Sequence, residues 1–166
     1  MVDFFLESDN KRSSYNGDWS RSSKRTELLH GFIENDLKNK NSALKIEKEK
    51  VVQYNNNYSK KHDFLINDNK ILELKFIEKS FEKNANNYFE GELGRSVVAE
   101  NNNKELHSMT FIRSSAASNG LDGVKEHFKK YNYLKNKSVY FYDDKTKNYT
   151  LLVGDDYDTL LTKIAN

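Results

Sequence analysis

The sequence predicts a mixed α/β fold in which a central mixed β-sheet is flanked by helices. A helical pattern comes first, several strand-like runs follow it, and strands then alternate with helical segments. That order is typical of one sheet covered by helices on at least one face. The length of 166 residues fits a single domain. Because no repeat or linker divides the chain, we expect an N-terminal arm or loop over residues 1–23 and one domain over residues 24–166.

The composition excludes several classes of protein. The chain has no Cys, which removes disulfides, thiol nucleophiles and Cys-ligated zinc. Its 10 Tyr, 10 Phe and one Trp supply a core that disordered chains lack. No apolar run approaches the roughly 20 residues of a membrane helix, and the acidic N-terminal stretch does not read as a secretory signal. We therefore expect a soluble, cytoplasmic protein without membrane contact.

The first elements are a loop and a helix. Residues 8–23 are rich in Ser, Asn and Asp without periodicity, which indicates a loop. A helix is predicted over residues 24–39, since its apolar residues fall on one broad face. Ser22 or Ser23 is suited to cap that helix.

Three strands follow in the sequence. Residues 43–54 alternate in the way a strand does. Residues 62–66 and 70–77 are predicted to form a hairpin around residues 67–69, which are Asn, Asp and Asn. These residue types tolerate the positive φ of tight turns.

The second half of the chain predicts alternating helices and strands. Apolar and turn-forming residues set the boundaries of these elements. In chain order they are a helix over 88–100, a strand over 108–113, a helix over 121–131, strands over 138–142 and 148–153, and a closing helix through Ile164.

The predicted hairpin carries three residues suited to phosphodiester hydrolysis. Glu73 and Lys75 are two apart on one strand, so their side chains leave the same face. Asp63 precedes Glu73 by ten residues, on the partner strand. Metal-dependent cleavage needs hard oxygen ligands for a divalent cation and a positive charge near the attacking water or the phosphate.

The register of the hairpin decides whether the two acids meet. With a three-residue loop, Ile66 pairs with Lys70 and Asp63 lies opposite Glu73. Directly opposed Cβ atoms are about 4.5–5.5 Å apart, so the two carboxylates can share one ion. Two acids so placed repel each other, which a bound Mg²⁺ would offset. A two-residue loop would offset the pair by one position.

These residues resemble a known pattern. His62-Asp63, nine residues and then Glu73-Leu74-Lys75 resemble the core of the PD-(D/E)XK nuclease superfamily, which includes small type II restriction endonucleases. The resemblance implies a restriction-endonuclease-like fold, Mg²⁺ or Mn²⁺ held by Asp63 and Glu73, and a catalytic Lys75 that positions or activates the hydrolytic water. His62 stands where the family often has Pro.

Many such nucleases place one more acid on the helix before the sheet. Glu27 and Glu34 are seven residues apart and lie on nearly the same helical face. Either side chain is a candidate to reach the metal, directly or through water. Glu34 is preferred as the metal ligand because it follows the apolar step Phe32-Ile33 toward the core.

Contacts to double-stranded DNA must come from other segments. Phosphates are bound by Lys, Arg and small polar donors, and base edges are read by Asn, Gln and Arg. The candidate DNA-binding residues are Arg21, Lys24 and Arg25 before the sheet, Asn84, Asn86 and Asn87 after the hairpin, and Arg113, Ser115 and Asn119 after a later strand.

Together these observations predict a Mg²⁺-dependent endodeoxyribonuclease that is sequence-specific. A homodimer is expected because one active site cuts one strand and 166 residues leave little room to span a duplex. Two alternatives stay open. One is a structure-selective nuclease such as a junction resolvase, and the other is a non-catalytic nucleic-acid-binding module that uses tyrosines and lysines.

Overall fold

A computed structural model describes residues 4–19, 22–55, 58–129 and 136–166. Over those ranges it has five α-helices and a six-stranded mixed sheet, which confirms the mixed α/β class. The elements are α1 (Phe4–Arg12), α2 (Ser23–Lys40), β1 (Ile46–Asn55), β2 (Tyr58–Ile66), β3 (Lys70–Ile77), α3 (Phe81–Asn101), β4 (Glu105–Arg113), α4 (Gly120–Phe128), β5 (Lys137–Asp143), β6 (Asn148–Val153) and α5 (Tyr157–Ala165).

The chain forms two compact units. The helical unit comprises Met1–Leu44 with Tyr157–Asn166, and the sheet unit comprises Lys45–Asp156. Residues 24–166, expected as one domain, contribute to both units. No helix in the described part of the chain is long and apolar enough to cross a membrane.

Helix α1 lies inside the segment expected to be an arm or loop. Phe4 and Phe5 are buried on it. The Ser8 hydroxyl accepts a hydrogen bond from the indole nitrogen of Trp19 at 2.8 Å. The expectation of a loop is therefore wrong for Phe4–Arg12. Two adjacent phenylalanines and a tryptophan later in the chain bury this helix, and the polar residues between them show no helical periodicity that would have predicted it.

Helix α2 begins where the sequence predicts. The Ser22 side chain accepts a hydrogen bond from the Lys24 N–H at 3.2 Å, which makes Ser22 the N-cap. Within the same unit, the Tyr157 hydroxyl of α5 donates to the Asp36 carboxylate of α2 at 2.7 Å. This bond ties the last helix to the first long one.

The strands of the sheet follow chain order, β1 to β6. Neighbours are antiparallel except for β3, β4 and β5, which run parallel to one another. Parallel neighbours need a crossover, and α3 and α4 provide the two crossovers. Ile77 of β3, Phe89 of α3 and Phe128 of α4 share one buried apolar cluster, so both helices pack on the sheet.

Strand β1 lies at one edge of this sheet. Its first half carries charged side chains, and Lys48, Glu49 and Lys50 are exposed. Glu49 has a φ of 55°, in the left-handed region that few non-glycine residues adopt. The backbone of β1 is therefore irregular at this position.

Candidate functional site

The hairpin between β2 and β3 has the register expected for a three-residue loop. Ile66 pairs with Lys70, and Phe64 pairs with Leu72. Asn67 and Asp68 in the loop have φ values of 48° and 63°, which confirms that this turn uses left-handed residues.

The two strands separate beyond the pair Phe64 and Leu72. Strand β3 continues alongside β4 as far as the pair Ile77 and Ile112, whereas the first half of β2 stays with β1. Among the described residues, Asp63 and Glu73 are therefore not ladder partners, which corrects the expectation that they pair directly. We call the opening between residues 60–63 and residues 73–75 the fork.

Asp63 reaches across the fork with its side chain. Its Oδ2 accepts a hydrogen bond from the backbone N–H of Leu74 at 2.7 Å. The Asp63 carboxylate thus lies against β3 between Glu73 and Lys75. The Asp63 side chain thus satisfies a backbone N–H of β3 just beyond the last paired residues of β2 and β3. This hydrogen bond holds the two strands together at the point where their backbone pairing ends.

Glu73 is held from the opposite strand. Its Oε1 is hydrogen-bonded to Nδ1 of the buried His62, and Nε2 of His62 lies 2.6 Å from the Tyr54 hydroxyl. A carboxylate only accepts hydrogen bonds, so His62 Nδ1 donates to Glu73, and the Tyr54 hydroxyl lies at the other ring nitrogen. Burial raises the pKa of Tyr54 to about 12, with a further contribution from the Glu73 charge, so its hydroxyl stays protonated near neutral pH.

Lys75 follows Glu73 on the same face of β3, because alternate residues of a strand share a face. Its side chain is exposed, and Nζ lies 4.8 Å from the centre of the Tyr88 ring on α3. The contact is a cation–π interaction that directs the lysine toward α3. The ammonium group therefore lies between β3 and α3.

Two further cations belong to this region. Lys60 on β2 is half-buried, and burial lowers its pKa. The charges of Glu73 and Asp63 raise it, whereas those of Arg95 and Lys75 lower it. These four groups therefore lie within electrostatic range of Lys60. The sequence patterns did not identify Lys60 or Arg95 as site residues. Neither belongs to the motif of Asp63, Glu73 and Lys75, and the sequence does not show that α3 contacts the hairpin.

The oxygen donors of the fork fit a hard divalent cation. Two carboxylates from adjacent strands are ligands that Mg²⁺ accepts. Leu74 holds Oδ2 of Asp63 and His62 holds Oε1 of Glu73, and such bonds orient metal-binding carboxylates. Glu34 lies on α2 in the helical unit, half-buried, and its part in a metal site stays a prediction.

The first group of expected DNA contacts lies at the start of α2. Arg21 falls outside the described residues. Lys24 is exposed, with its Nζ 5.9 Å from the centre of the Tyr15 ring. The Arg25 guanidinium lies 5.6 Å from the centre of the Phe4 ring. Both cations therefore pack partly on aromatic side chains of the helical unit.

The second group lies on a helix and not in a loop. Asn84, Asn86 and Asn87 belong to the first half of α3, which begins at Phe81 and not near residue 88. The Asn84 side chain donates to the Ser80 carbonyl at 3.1 Å. Asn86 and Asn87 are exposed, so they face solvent from the helix surface.

The third group is bound largely within the protein. Arg113 Nε lies 2.5 Å from Asp144 Oδ1, and the Ser115 N–H donates to Asp144 Oδ2 at 3.0 Å. Burial opposes the charge of Asp144, but these hydrogen bonds outweigh it and lower its pKa. The Asn119 N–H donates to Glu82 at 3.1 Å. Arg113 is thus committed to a carboxylate, whereas the side chains of Ser115 and Asn119 remain exposed.

Comparison with known proteins adds no further identification. No family model, no curated protein and no solved structure matches this chain. The functional argument therefore depends on the geometry of the fork.

Proposed function

We propose that this protein is a Mg²⁺-dependent endodeoxyribonuclease that hydrolyses phosphodiester bonds of double-stranded DNA. The observation that carries the proposal is the fork, where the Asp63 carboxylate binds the backbone between Glu73 and Lys75. Two acids on adjacent strands with a lysine two residues beyond the second acid are the set that the resemblance to PD-(D/E)XK nucleases implies for metal-assisted hydrolysis.

Each residue of the fork has a separate task. Asp63 and Glu73 hold Mg²⁺ or Mn²⁺, which when bound supplies Lewis-acid activation of the phosphodiester. Lys75 orients the attacking water and offsets negative charge that develops on the phosphate. His62 keeps the Glu73 carboxylate in one orientation, because it binds Oε1 from a buried position.

The resemblance to type II restriction endonucleases supports sequence-specific cleavage by a homodimer. One fork provides one set of catalytic groups and cuts one strand. A second copy is then needed to cut the complementary strand. Specific cutting would give discrete fragments from a long DNA.

Cleavage of DNA with and without Mg²⁺ tests the proposal. The purified protein is incubated with supercoiled plasmid and with phage DNA, in Mg²⁺ or in EDTA. We expect discrete bands in Mg²⁺ and intact DNA in EDTA. A smear, or cleavage confined to branched DNA, would favour a structure-selective nuclease. Intact DNA under every divalent ion would favour a binding module and contradict the proposal.

Variants connect any activity to the fork. Asp63→Asn, Glu73→Gln and Lys75→Gln remove one charge each and keep side-chain size. We expect each to lower the cleavage rate at least about 100-fold. Asp68→Asn is the matched control, since Asp68 is an exposed acid in the turn of the same hairpin. Full activity of Asp63→Asn would show that the activity comes from elsewhere or from a contaminant.

A further inference from the structure

Arg95 of α3 is an arginine whose position lacks a structural explanation. Its Nε is enclosed and has no hydrogen-bond partner among the described residues. The guanidinium folds back along the helix over Gly91, where an added Cβ would lie 3.5 Å from Nη1. Leaving an enclosed N–H donor unpaired costs stability, so an acceptor from outside the chain would stabilise this arginine.

The neighbours of Arg95 make this position more unusual. The Arg95 charge lowers the pKa of Lys60 at the fork and of Lys137 on β5, although burial is the larger cause for both lysines. Arg95 therefore lies within electrostatic range of two other cations. Both lysines already face carboxylates, and Arg95 adds a further positive charge that a bound anion would neutralise.

Lys137 is a buried cation whose counter-charge lies within the protein. Its Nζ is hydrogen-bonded to Glu92 and lies 3.2 Å from Thr110 Oγ1, and both Lys137 and Glu92 are buried. That lysine has its counter-charge within the protein. Arg95, one turn further along α3 from Glu92, forms no ion pair with any residue in the described ranges.

We propose that Arg95 and Lys60 form a phosphate-binding subsite that holds the DNA backbone beside the carboxylates of the fork. The inference rests on the proposed nuclease function and adds to it the residues that bind a substrate phosphate. Arg95 supplies guanidinium donors, including the enclosed Nε–H. Lys60 supplies a second positive charge from β2, where it pairs with Val52, and Val52 shares a buried cluster with Ala99, one turn beyond Arg95 on α3.

The charge balance of the fork agrees with such a ligand. Lys60, Lys75 and Arg95 oppose the two acids Asp63 and Glu73. Glu49, whose carboxylate lies within 4.8 Å of that of Asp63, is paired with Lys61, so one positive charge remains before any metal binds. A phosphodiester carries one negative charge. Arginine binds phosphate oxygens through two parallel N–H groups, which also fixes the orientation of the phosphate.

Duplex binding measured in EDTA tests the subsite without cleavage. Binding of a fluorescently labelled duplex is followed by anisotropy at several salt concentrations for the wild type, Arg95→Gln and Lys60→Gln. We expect affinity to fall about tenfold for each variant, and the slope of log affinity against log salt to fall by about 1. Lys125→Gln is the control, because Lys125 is an exposed lysine of α4 in the same unit, and its affinity should change less than about twofold. Equal binding by Arg95→Gln and Lys125→Gln would overturn the proposal.

A spectroscopic measurement separates the subsite from the catalytic proposal. The Nε–Hε signal of Arg95 is assigned by its loss in Arg95→Lys and followed in ¹⁵N-labelled protein during titration with inorganic phosphate. We expect a saturable shift with phosphate and none with chloride at equal ionic strength. An unresponsive signal in a protein that cleaves DNA would remove the subsite and leave the nuclease function. A signal that responds to phosphate in a protein that never cleaves DNA would support the subsite and contradict the nuclease function.

Discussion

Asp63 Oδ2 accepts a hydrogen bond from the backbone N–H of Leu74 at 2.7 Å, across two strands that are no longer paired. The same carboxylate thus has two roles in our interpretation. It holds the fork in shape, and it offers oxygen to a metal ion. Different substitutions of Asp63 should separate these roles.

Asp63→Asn and Asp63→Ala should differ in stability but not in activity. Asn keeps a carbonyl oxygen for the Leu74 N–H, so we expect nearly unchanged unfolding free energy and no cleavage. Ala leaves that N–H without its acceptor, so we expect a loss of about 1–3 kcal/mol as well. Urea denaturation and plasmid cleavage measure the two effects. Equal stability of the two variants would argue against a structural role of the hydrogen bond.

Tyr54→Phe should weaken the positioning of the Glu73 carboxylate by His62 while Glu73 itself is unchanged. The change removes the hydroxyl that contacts His62 Nε2 at 2.6 Å, which leaves a buried ring nitrogen unpaired and costs about 1–3 kcal/mol. We also expect a higher Mg²⁺ concentration for half-maximal cleavage, with much of the maximal rate retained. Tyr58→Phe is the control, because Tyr58 is exposed on the same ribbon. An unchanged Mg²⁺ requirement would contradict the positioning role.

Glu92→Gln should be strongly destabilising. Lys137 would then remain buried with its main counter-charge lost, which typically costs about 3–5 kcal/mol. The double variant Glu92→Leu with Lys137→Met should recover most of that loss, because it removes both charges together. Thermal unfolding of the single and double variants measures the coupling. Glu126→Gln breaks an exposed ion pair with Lys129 and should leave the melting temperature unchanged.

Stability should fall in alkaline solution because of a buried tyrosine. Burial raises the pKa of Tyr140 to about 12, above the value of about 10 for a solvated tyrosine. Between these values the unfolded chain loses the proton while the folded protein keeps it, so the stabilisation is complete below pH 10 and is lost as pH rises toward 12. The melting temperatures of the wild type and of Tyr140→Phe are measured at several pH values from 9 upward, and their declines with pH are compared. The decline should be shallower in the variant, and an equal decline would contradict this origin.

The hairpin could be predicted from sequence because local chemistry determines it. Asn67 and Asp68 favour the left-handed turn, and that loop length sets the pairing of Ile66 with Lys70. The apolar residues on both sides then fix which face is buried.

The fork could not be predicted in the same way. It forms because β3 leaves β2 and pairs with β4, whose first residue, Glu105, lies far along the chain from Lys70. Local patterns contain no information on such a distant partner. The hydrogen bond of His62 to Glu73 and the enclosure of the Arg95 Nε atom follow from that tertiary arrangement.

Helix α3 illustrates a second limit. Its asparagines and glycines give a weak helical pattern, yet Phe81, Ala85 and Phe89 are buried at intervals of four residues. That spacing places one apolar stripe toward the sheet. Packing against the sheet therefore outweighs low intrinsic propensity, as it commonly does for helices in proteins.

The irregular first half of β1 has a consequence for behaviour at high concentration. An outermost strand offers unsatisfied backbone groups to any other chain that approaches it. Here a left-handed Glu49 interrupts the row of those groups, and alternating acidic and basic side chains must be desolvated before a second ribbon can add. The β1 edge of the sheet should therefore resist the growth of fibrils, even though the interior strands beside it contain phenylalanine and isoleucine.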